Sequence, residues 1–250
     1  MLDDFKTAEI QTSETSIFVR RSGSGSPILL LHGFPQTHLM WRSVAPVLAR
    51  NFTVVCADLR GYGRSGCPVS TPDHAPYAKR AMAQDMVVVM ERLGFPRFSV
   101  AGHDRGGRVA YRMAFDHPSC VDRLAVLAVF SPEVRAAYVQ ALRDPAHAHA
   151  ICEEYRAAAT LDPEHDKADR TAGRRIASPL LALWSAQGPL GTWYAEAAGP
   201  IALWRAWSDD VRGHPLNAGH FFPEEAPEET ADALNRFFAA TGSTDSDEAV

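Results

Sequence analysis

The 250-residue chain lacks several features that define large classes of proteins. No apolar run approaches the ~18 residues that a membrane-spanning helix needs. The first residues, Met1–Lys6, do not have the basic-then-apolar order of a secretory signal. The four cysteines include no C-x-x-C pair, which favours free thiols in a reducing compartment over a disulfide framework or a zinc site. These absences predict a soluble, cytoplasmic protein.

A surplus of basic residues is also missing. Lys and Arg number 25 against 30 Asp and Glu, so the formal net charge is −5, and the charges are interspersed. Because nucleic acids and anionic membranes are bound through basic surfaces, neither is expected as a partner. Hydrophobic residues make up 46% of the chain, which is a globular value. The length suffices for one large domain with its own core.

Short apolar runs alternate with helical patterns along the chain. The predicted strands are Glu9–Thr12, Ser16–Arg20, Pro27–Leu31, Thr53–Ala57, Phe98–Ala101, Leu124–Val129, Leu180–Trp184 and Val211–Leu216, and the predicted helices are Trp41–Arg50, Tyr77–Leu93, Arg105–Asp116, Ile201–Trp207 and Glu224–Ala239. This alternation predicts an α/β fold, a mainly parallel sheet with helices on both faces. Residues 132–175 are Ala-rich and helical in pattern, as an insertion or a lid would be.

The segment Gly102-His103-Asp104-Arg105-Gly106 joins a predicted buried strand to a predicted helix. It matches the G-x-nucleophile-x-G pattern, in which the middle residue occupies a strained turn with no room for side chains at the flanking glycines. Serine, the usual nucleophile, is absent, and Asp104 takes its place. A carboxylate can attack an sp³ carbon and leave an ester on the enzyme, which water must then hydrolyse. The alternative is that Asp104 is an ordinary helix N-cap.

Two further loops follow predicted strands at the same edge of the sheet. The turn after Pro27–Leu31 can aim the backbone N–H of Phe34, with that of Arg105, at an oxygen of the Asp104 ester. The loop after the last strand carries His220, which can activate the water that cleaves that ester. The order of these pieces predicts nucleophilic hydrolysis at Asp104.

These residues resemble the α/β-hydrolase superfamily and, within it, the fluoroacetate (haloacetate) dehalogenase family. The similar segments are LLHGFPQTHLMW (Leu30–Trp41), DLRGYGRS (Asp58–Ser65), AGHDRGGRVAYR (Ala101–Arg112), EYRAAATLDPEHDK (Glu154–Lys167) and GHFFPEEAP (Gly219–Pro227). They occur in the order of the family and together span nearly the whole chain.

The resemblance implies a division of the chain and a role for each matching residue. It implies an α/β-hydrolase core of residues 1–129 and 176–240, a shortened helical lid of residues 130–175 and a disordered tail of residues 241–250. The implied site residues are Asp104 as nucleophile, His220 as water-activating base, Arg105 and Arg108 as the clamp on the substrate carboxylate, Phe34 in the oxyanion turn and Tyr155 as a halide-facing lid residue.

The activity that the resemblance implies is hydrolytic dehalogenation of a short, anionic 2-haloacid, with no cofactor and no metal. Two arginines beside Asp104 agree with an anionic substrate. Epoxide hydrolysis is the alternative within the superfamily, with Tyr138 and Tyr155 as candidates to protonate the epoxide oxygen. A hydrolase-fold protein that binds a small acid with weak or no catalysis is a third reading. The oligomeric state stays open, with a homodimer as one option.

Two features of the resembling family are missing here. Its catalytic acid follows the strand that matches Leu124–Val129, but this chain has no Asp or Glu there before Glu133, and none at Trp184–Gln187. Its lid carries a His-Trp pair that helps to hold the halide, and no His-Trp occurs in this chain. One internal gap near residues 127–130 accounts for both. Since loss of the orienting carboxylate costs about 10⁴ in turnover in serine enzymes, the sequence predicts impaired activity.

Overall fold

The structure is a computed structural model, and it describes residues 2–128, 144–188 and 199–240. Its strands are β1 (Lys6–Gln11), β2 (Ser16–Ser22), β3 (Pro27–Leu31), β4 (Thr53–Ala57), β5 (Phe98–His103), β6 (Val121–Ala128), β7 (Leu180–Ser185) and β8 (Val211–Leu216). They form an eight-stranded sheet in the order β1-β2-β4-β3-β5-β6-β7-β8. The β1–β2 and β2–β4 pairs are antiparallel and the other pairs are parallel.

The described helices cover both faces of this sheet. They are α1 (Ala45–Leu48), α2 (Lys79–Arg92), α3 (Arg105–Asp116), α4 (Pro145–Ala159), α5 (Leu161–Thr171), α6 (Gly199–Arg205), α7 (Phe222–Glu225) and α8 (Pro227–Ala239), with 3₁₀ helices at His38–Trp41 and Ala75–Tyr77. Within β3, Leu29 and Leu31 pack into the core cluster that contains α2 and α3, whereas Ile28 and Leu30 pack into the cluster that contains α1 and α8. Alternate side chains of a strand point to opposite faces, so the predicted α/β fold, a mainly parallel sheet with helices on both faces, is confirmed.

Prolines divide two of the predicted helices. The helix predicted over Trp41–Arg50 is a 3₁₀ turn that ends at Trp41, followed by α1 with Pro46 in its first turn. The helix predicted over Glu224–Ala239 is α7 and α8, and Pro227 is the first residue of α8. Proline lacks the N–H that an interior helical position needs but suits the first turn of a new helix. Both predictions of a single continuous helix were therefore wrong.

The described part of the predicted lid consists of α4 and α5. Ala150 and Ile151 of α4 are buried in the same cluster as α2 and α3, so this segment is anchored on the core. Residues 129–143, which include the start of the predicted lid, Glu133 and Tyr138, lie outside the described residues, as does the predicted tail of residues 241–250. Of the helices in the described ranges, none has the length and apolar character needed to cross a bilayer.

Candidate active site

Asp104 lies in the turn that joins β5 to α3, in an unusual backbone conformation. Its φ is 49° and its ψ is −110°, which is outside the regions that L-residues readily adopt and costs about 1–3 kcal/mol. Its N–H donates to the carbonyl oxygen of Leu127 at 2.9 Å, and its own carbonyl accepts from the N–H of Arg108 at 3.2 Å. The turn is thus held from β6 on one side and by the first turn of α3 on the other.

The glycines around Asp104 are required by close backbone contacts. A Cβ atom on Gly102 would lie 2.1 Å from the carbonyl oxygen of Gly106, and one on Gly106 would lie 2.4 Å from the carbonyl oxygen of His32. A Cβ atom on Gly33 would lie 2.6 Å from the Cβ of Asp104. No side chain fits at these distances, because packed carbon atoms need about 3.5 Å or more. The strand-to-helix turn predicted around Asp104 is present.

The predicted oxyanion turn reaches the Asp104 carboxylate. The N–H of Phe34 donates to Oδ2 of Asp104 at 3.0 Å. If Oδ1 attacks a substrate carbon, Oδ2 remains as the carbonyl oxygen of the ester, already paired with a fixed donor. Such a donor stabilises the negative charge that develops on this oxygen when water attacks.

His220 lies in the loop between β8 and α7 with a buried ring. Its Nδ1 atom is buried and has no hydrogen-bond partner among the described residues. His103 donates from Nε2 to the carbonyl oxygen of His220 at 3.0 Å, and the two ring centroids are 5.1 Å apart. The carboxylate of Glu225 accepts from the N–H groups of Gly219 at 2.5 Å and Phe221 at 3.1 Å. His103 and Glu225 therefore hold the loop, but neither carboxylate oxygen of Glu225 contacts the ring.

The environment of His220 keeps its imidazole neutral. Burial, and after it the neighbouring His103, lower the pKa of His220 to about 4, and only the charge of Asp104 opposes them. Formation of an ester on Asp104 would remove that opposing charge. Because a general base works best with a pKa near the working pH, His220 in this state is a weak base.

We expect the free energy of unfolding to fall between pH 7 and pH 5. Burial lowers the pKa of His32, His103 and His220 below the ordinary value of 6.5. In this window the unfolded chain binds more protons than the native chain, so stability present above pH 6.5 is lost as the pH falls. Each such histidine contributes up to about 2 kcal/mol of loss at pH 5. Urea unfolding at the two pH values measures this change.

A variant of one histidine provides the control for this pH effect. His220→Gln should show a smaller loss between pH 7 and pH 5 than the wild type, because glutamine does not titrate. A loss of the same size in both proteins, or a stability that is unchanged or rises toward pH 5, would contradict the interpretation.

Three of the predicted substrate-binding residues meet beside Asp104. The guanidinium carbon of Arg105 lies 3.5 Å from the ring centroid of Tyr155. The ring of Tyr155 in turn meets that of Phe34 edge to face, with 5.9 Å between centroids. Tyr155 is 48% exposed, whereas Arg105 is buried. Helix α4 and the turn that carries Phe34 therefore meet through these side chains next to Asp104.

The two predicted clamp arginines are not equivalent. Nη1 of Arg105 donates to Oε1 of Glu154 at 3.2 Å, so its charge is already paired. Arg108 is exposed, one helical turn after Asp104, and has no ion-pair partner among the described residues. The charge of Arg105 is therefore committed to Glu154, whereas that of Arg108 is not paired within the described ranges.

Glu154 is a site residue that the sequence analysis missed. Its side chain is fully buried, it accepts hydrogen bonds from the hydroxyl of Tyr62 and from Arg105, and it forms an ion pair with Nζ of Lys79 at 2.8 Å. Burial opposes ionisation, but Lys79 and Arg105 outweigh it and lower the pKa of Glu154 to about 2. Its position next to Tyr155 was the one signal in the sequence, since a buried carboxylate is not visible in a helical pattern.

Metal ligation is not indicated by the described residues. Across residues 2–128, 144–188 and 199–240, no group of three or more His, Cys, Asp or Glu side chains is arranged to hold an ion.

Comparison with known proteins identifies a matching family and relatives that align with most of this chain. A family profile described as "alpha/beta hydrolase fold" matches residues 26–158. A fluoroacetate dehalogenase from Burkholderia sp is 35% identical over 296 residues, covering 96% of this chain and 95% of that protein. A soluble epoxide hydrolase from Corynebacterium sp. (strain C12) is 29% identical over 278 residues, covering 87% and 92%. An α/β-hydrolase-fold crystal structure from Nostoc sp PCC 7120 has 40% identity and a TM-score of 0.88, covering 96% and 100%.

The alignment with the fluoroacetate dehalogenase also bears on the length of this chain. The alignment spans 296 positions, whereas this chain has only 250 residues, of which 96% are aligned. That relative therefore has segments with no counterpart in this chain, in keeping with an internal gap.

Proposed function

This chain belongs to the α/β-hydrolase fold family, in its fluoroacetate (haloacetate) dehalogenase-like branch, and from this we propose that it hydrolyses the carbon–halogen bond of a short 2-haloacid. The observation that carries the proposal is the Asp104 carboxylate at a strained turn. It is hydrogen-bonded to the N–H of Phe34 and lies one helical turn from Arg108, which has no ion-pair partner among the described residues. Membership of this family by itself indicates that the chain is a hydrolase.

The first step is displacement of the halide by Asp104. Oδ1 attacks the carbon that bears the halogen, a C–O bond forms, and the halide leaves with the electron pair of the broken bond. Two like charges 4 Å apart at a protein surface repel by about 4 kcal/mol, so a carboxylate nucleophile needs a cation beside its anionic substrate. In this proposal Arg108 supplies that charge and Tyr155 contacts the departing halide.

The second step is hydrolysis of the ester at Asp104. His220 takes a proton from water, the resulting hydroxide attacks Cγ of Asp104, and Oδ2 carries the negative charge beside the N–H of Phe34. Collapse of this intermediate breaks the bond between Cγ and the alkoxide oxygen, which takes the proton from His220 and leaves as the 2-hydroxy acid. The carboxyl group of Asp104 then loses its proton to solvent. Because the pKa of His220 is lowered to about 4, this step is slow and the ester accumulates.

We expect chloroacetate to add one carboxymethyl group to Asp104, in a burst that precedes a much slower steady release of chloride. The displacement needs only Asp104 and the arginine, whereas the hydrolysis needs a stronger base than His220. Intact-protein mass spectrometry measures the adduct, and a chloride assay on the same samples measures turnover. A single turnover in ¹⁸O-labelled water should place the label in the Asp104 carboxylate.

The control for this experiment must separate an ester from thiol alkylation. Cys152 is exposed and can react with chloroacetate directly. Asp104→Asn should retain any thioether but lose the ester, and alkaline hydroxylamine should cleave the ester alone. If Asp104→Asn is labelled as fully as the wild type, or if neither adduct nor chloride appears, the proposed function is wrong.

Two observations support the alternative hypothesis that the chain hydrolyses an epoxide. A soluble epoxide hydrolase is among the relatives, and the half-exposed Tyr155 could donate a proton to an epoxide oxygen beside Asp104. The other candidate donor, Tyr138, lies outside the described residues. A neutral epoxide needs no cation beside the nucleophile, so replacing Arg108 should slow the reaction of a haloacid but not that of an epoxide. Binding of haloacetate without adduct or chloride would instead favour a non-catalytic binding protein.

A further inference from the structure

His32 is a fully buried histidine that has no part in the two chemical steps above. It directly follows β3 and precedes Gly33 and Phe34, the turn whose N–H reaches Asp104. Nε2 of its ring accepts the N–H of Leu59, in the segment after β4, at 3.0 Å. Its Nδ1 lies 2.8 Å from the carbonyl oxygen of Gly33. The ring therefore joins the segments that follow two neighbouring parallel strands.

These two contacts assign the proton of the His32 ring. A backbone N–H can only donate, so Nε2, which faces the N–H of Leu59, is the acceptor and carries no proton. A neutral imidazole has one N–H, which must then be on Nδ1 and donates to the carbonyl oxygen of Gly33. Burial lowers the pKa of His32 and favours this neutral form, although the charge of Asp58 opposes it.

The carbonyl that the His32 ring holds belongs to the same peptide group as the N–H that reaches Asp104. This group joins Gly33 to Phe34. Its oxygen accepts from Nδ1 of His32 and from the N–H of Gln36 at 2.9 Å, and its N–H donates to Oδ2 of Asp104 at 3.0 Å. The C=O and N–H of a trans peptide group point in opposite directions, so fixing the carbonyl also fixes the direction of the N–H.

The glycine at position 33 makes such a restraint necessary. No side chain fits there, because its Cβ would lie 2.6 Å from the Cβ of Asp104. Glycine restricts backbone rotation least of all residues, so the peptide group after Gly33 could turn over. A turned group would present its carbonyl oxygen to Oδ2 and repel the negative charge that develops during ester hydrolysis. A hydrogen bond to the carbonyl prevents this rotation and also polarises the group, which strengthens its N–H as a donor.

We propose that His32 is a positioning residue for hydrolysis of the ester at Asp104. Its Nδ1–H holds the peptide group between Gly33 and Phe34 so that the N–H faces the oxygen that becomes negative. This role rests on the proposed function, because it belongs to the second of the two steps. In the first step Oδ2 loses negative charge as the ester forms, so loss of the restraint should slow the second step alone.

Two substitutions at position 32 separate the two contacts of the ring. In His32→Asn the amide nitrogen is bonded to Cγ, as Nδ1 is, so it can still donate to Gly33, but the acceptor for Leu59 is lost. In His32→Gln the amide oxygen can take the position of Nε2 and accept from Leu59, but the donor to Gly33 is lost. Neither side chain titrates, and both lack the imidazole ring. The pair therefore differs in the contact to which the proposal assigns the effect.

Hydrolysis is measured by mass spectrometry as the decay of the carboxymethyl adduct after chloroacetate has been removed. We expect decay to be about 10- to 100-fold slower in His32→Gln and rescued to within about threefold of the wild type in His32→Asn, because a misdirected donor loses part of the 10²–10³ that a missing oxyanion donor costs. Adduct formation should stay within about threefold in both variants. The matched control is His214→Gln, at an exposed position on β8, which should change neither rate.

A second readout does not depend on chloroacetate. When glycine carbonyl carbons carry ¹³C and phenylalanine nitrogens carry ¹⁵N, only Gly–Phe peptide groups give a signal in an NMR experiment that links each N–H to the preceding carbonyl. The sequence has two such groups, Gly33–Phe34 and Gly94–Phe95, and Phe34→Leu identifies the first by removing it. We expect its amide proton to lie further upfield in His32→Gln than in His32→Asn, because the hydrogen bond to Asp104 is weakened. The Gly94–Phe95 signal should stay in place.

The outcomes keep this role of His32 distinct from the proposed function. If no protein forms an adduct, the proposed function is wrong, and the NMR comparison alone decides whether His32 holds the peptide group. Equal decay rates in His32→Asn and His32→Gln, or equal positions of the amide proton, would overturn the inference. Should circular dichroism show His32→Gln unfolded, His32→Asn decides by itself: decay more than about tenfold slower than in the wild type, or without an adduct an upfield shift of the amide proton, would contradict it.

Discussion

Arg108→Leu is expected to slow alkylation of Asp104 by chloroacetate about 10²- to 10³-fold and to leave ring opening of a neutral epoxide nearly unchanged. Arg108 is exposed and unpaired within the described part of the chain, one turn from Asp104. In our proposal the bound acid covers this guanidinium, and removing one partner of a buried, hydrogen-bonded charge pair costs about 2–5 kcal/mol. This cost applies only when the substrate is an anion. The measurement is the rate of adduct formation, followed by mass spectrometry for chloroacetate and for styrene oxide in parallel.

The control for Arg108 separates a local contact from a change in net charge. Arg97 is exposed and pairs with Asp122 on the surface, so Arg97→Leu removes the same charge without touching the site. It should leave both rates within about twofold, since a distant surface charge is screened by salt. Equal slowing of both substrates by Arg108→Leu would mean that the arginine supports the structure and does not recognise the acid.

Glu154→Leu is expected to lower the free energy of unfolding by about 3–5 kcal/mol. Lys79 and Arg105 both pair with Glu154, and the Lys79 side chain is only 1% exposed. Without the carboxylate these cations stay buried with less compensation, because Asp162 alone remains near Lys79, at 3.6 Å. Urea unfolding at pH 7 measures the loss.

Two further variants show whether this loss comes from the buried charges. Lys79→Met in the Glu154→Leu background should recover part of the stability, because an apolar pair of similar volume often replaces a buried ion pair without loss. Glu164→Leu, at an exposed position on α5, should change stability by no more than about 0.5 kcal/mol. If the losses at Glu154 and Lys79 simply add, the two side chains do not act as a pair.

Local chemistry accounts for what could be predicted from the sequence. The parallel sheet was predicted because strands buried on both faces are continuous apolar runs, as in Pro27–Leu31 and Thr53–Ala57. The turn at Asp104 was predicted because Gly102 and Gly106, the two glycines that its close backbone contacts require, flank Asp104 in the sequence. The single helices predicted across Pro46 and Pro227 failed because the apolar pattern was given more weight than the missing N–H of proline.

The sequence by itself determined the fold class and the chemical types available at the site: a carboxylate at the turn, two arginines after it and a histidine after the last strand. Tertiary structure alone decided how their charges are used. Glu154, about 50 positions further along the chain, pairs with Arg105, whereas Arg108 has no ion-pair partner in the ranges that the structure describes. Burial beside His103 lowers the pKa of His220. The physical reason is that a charge depends on its partners and its exposure to water, and both are set by segments that come together only in the folded chain.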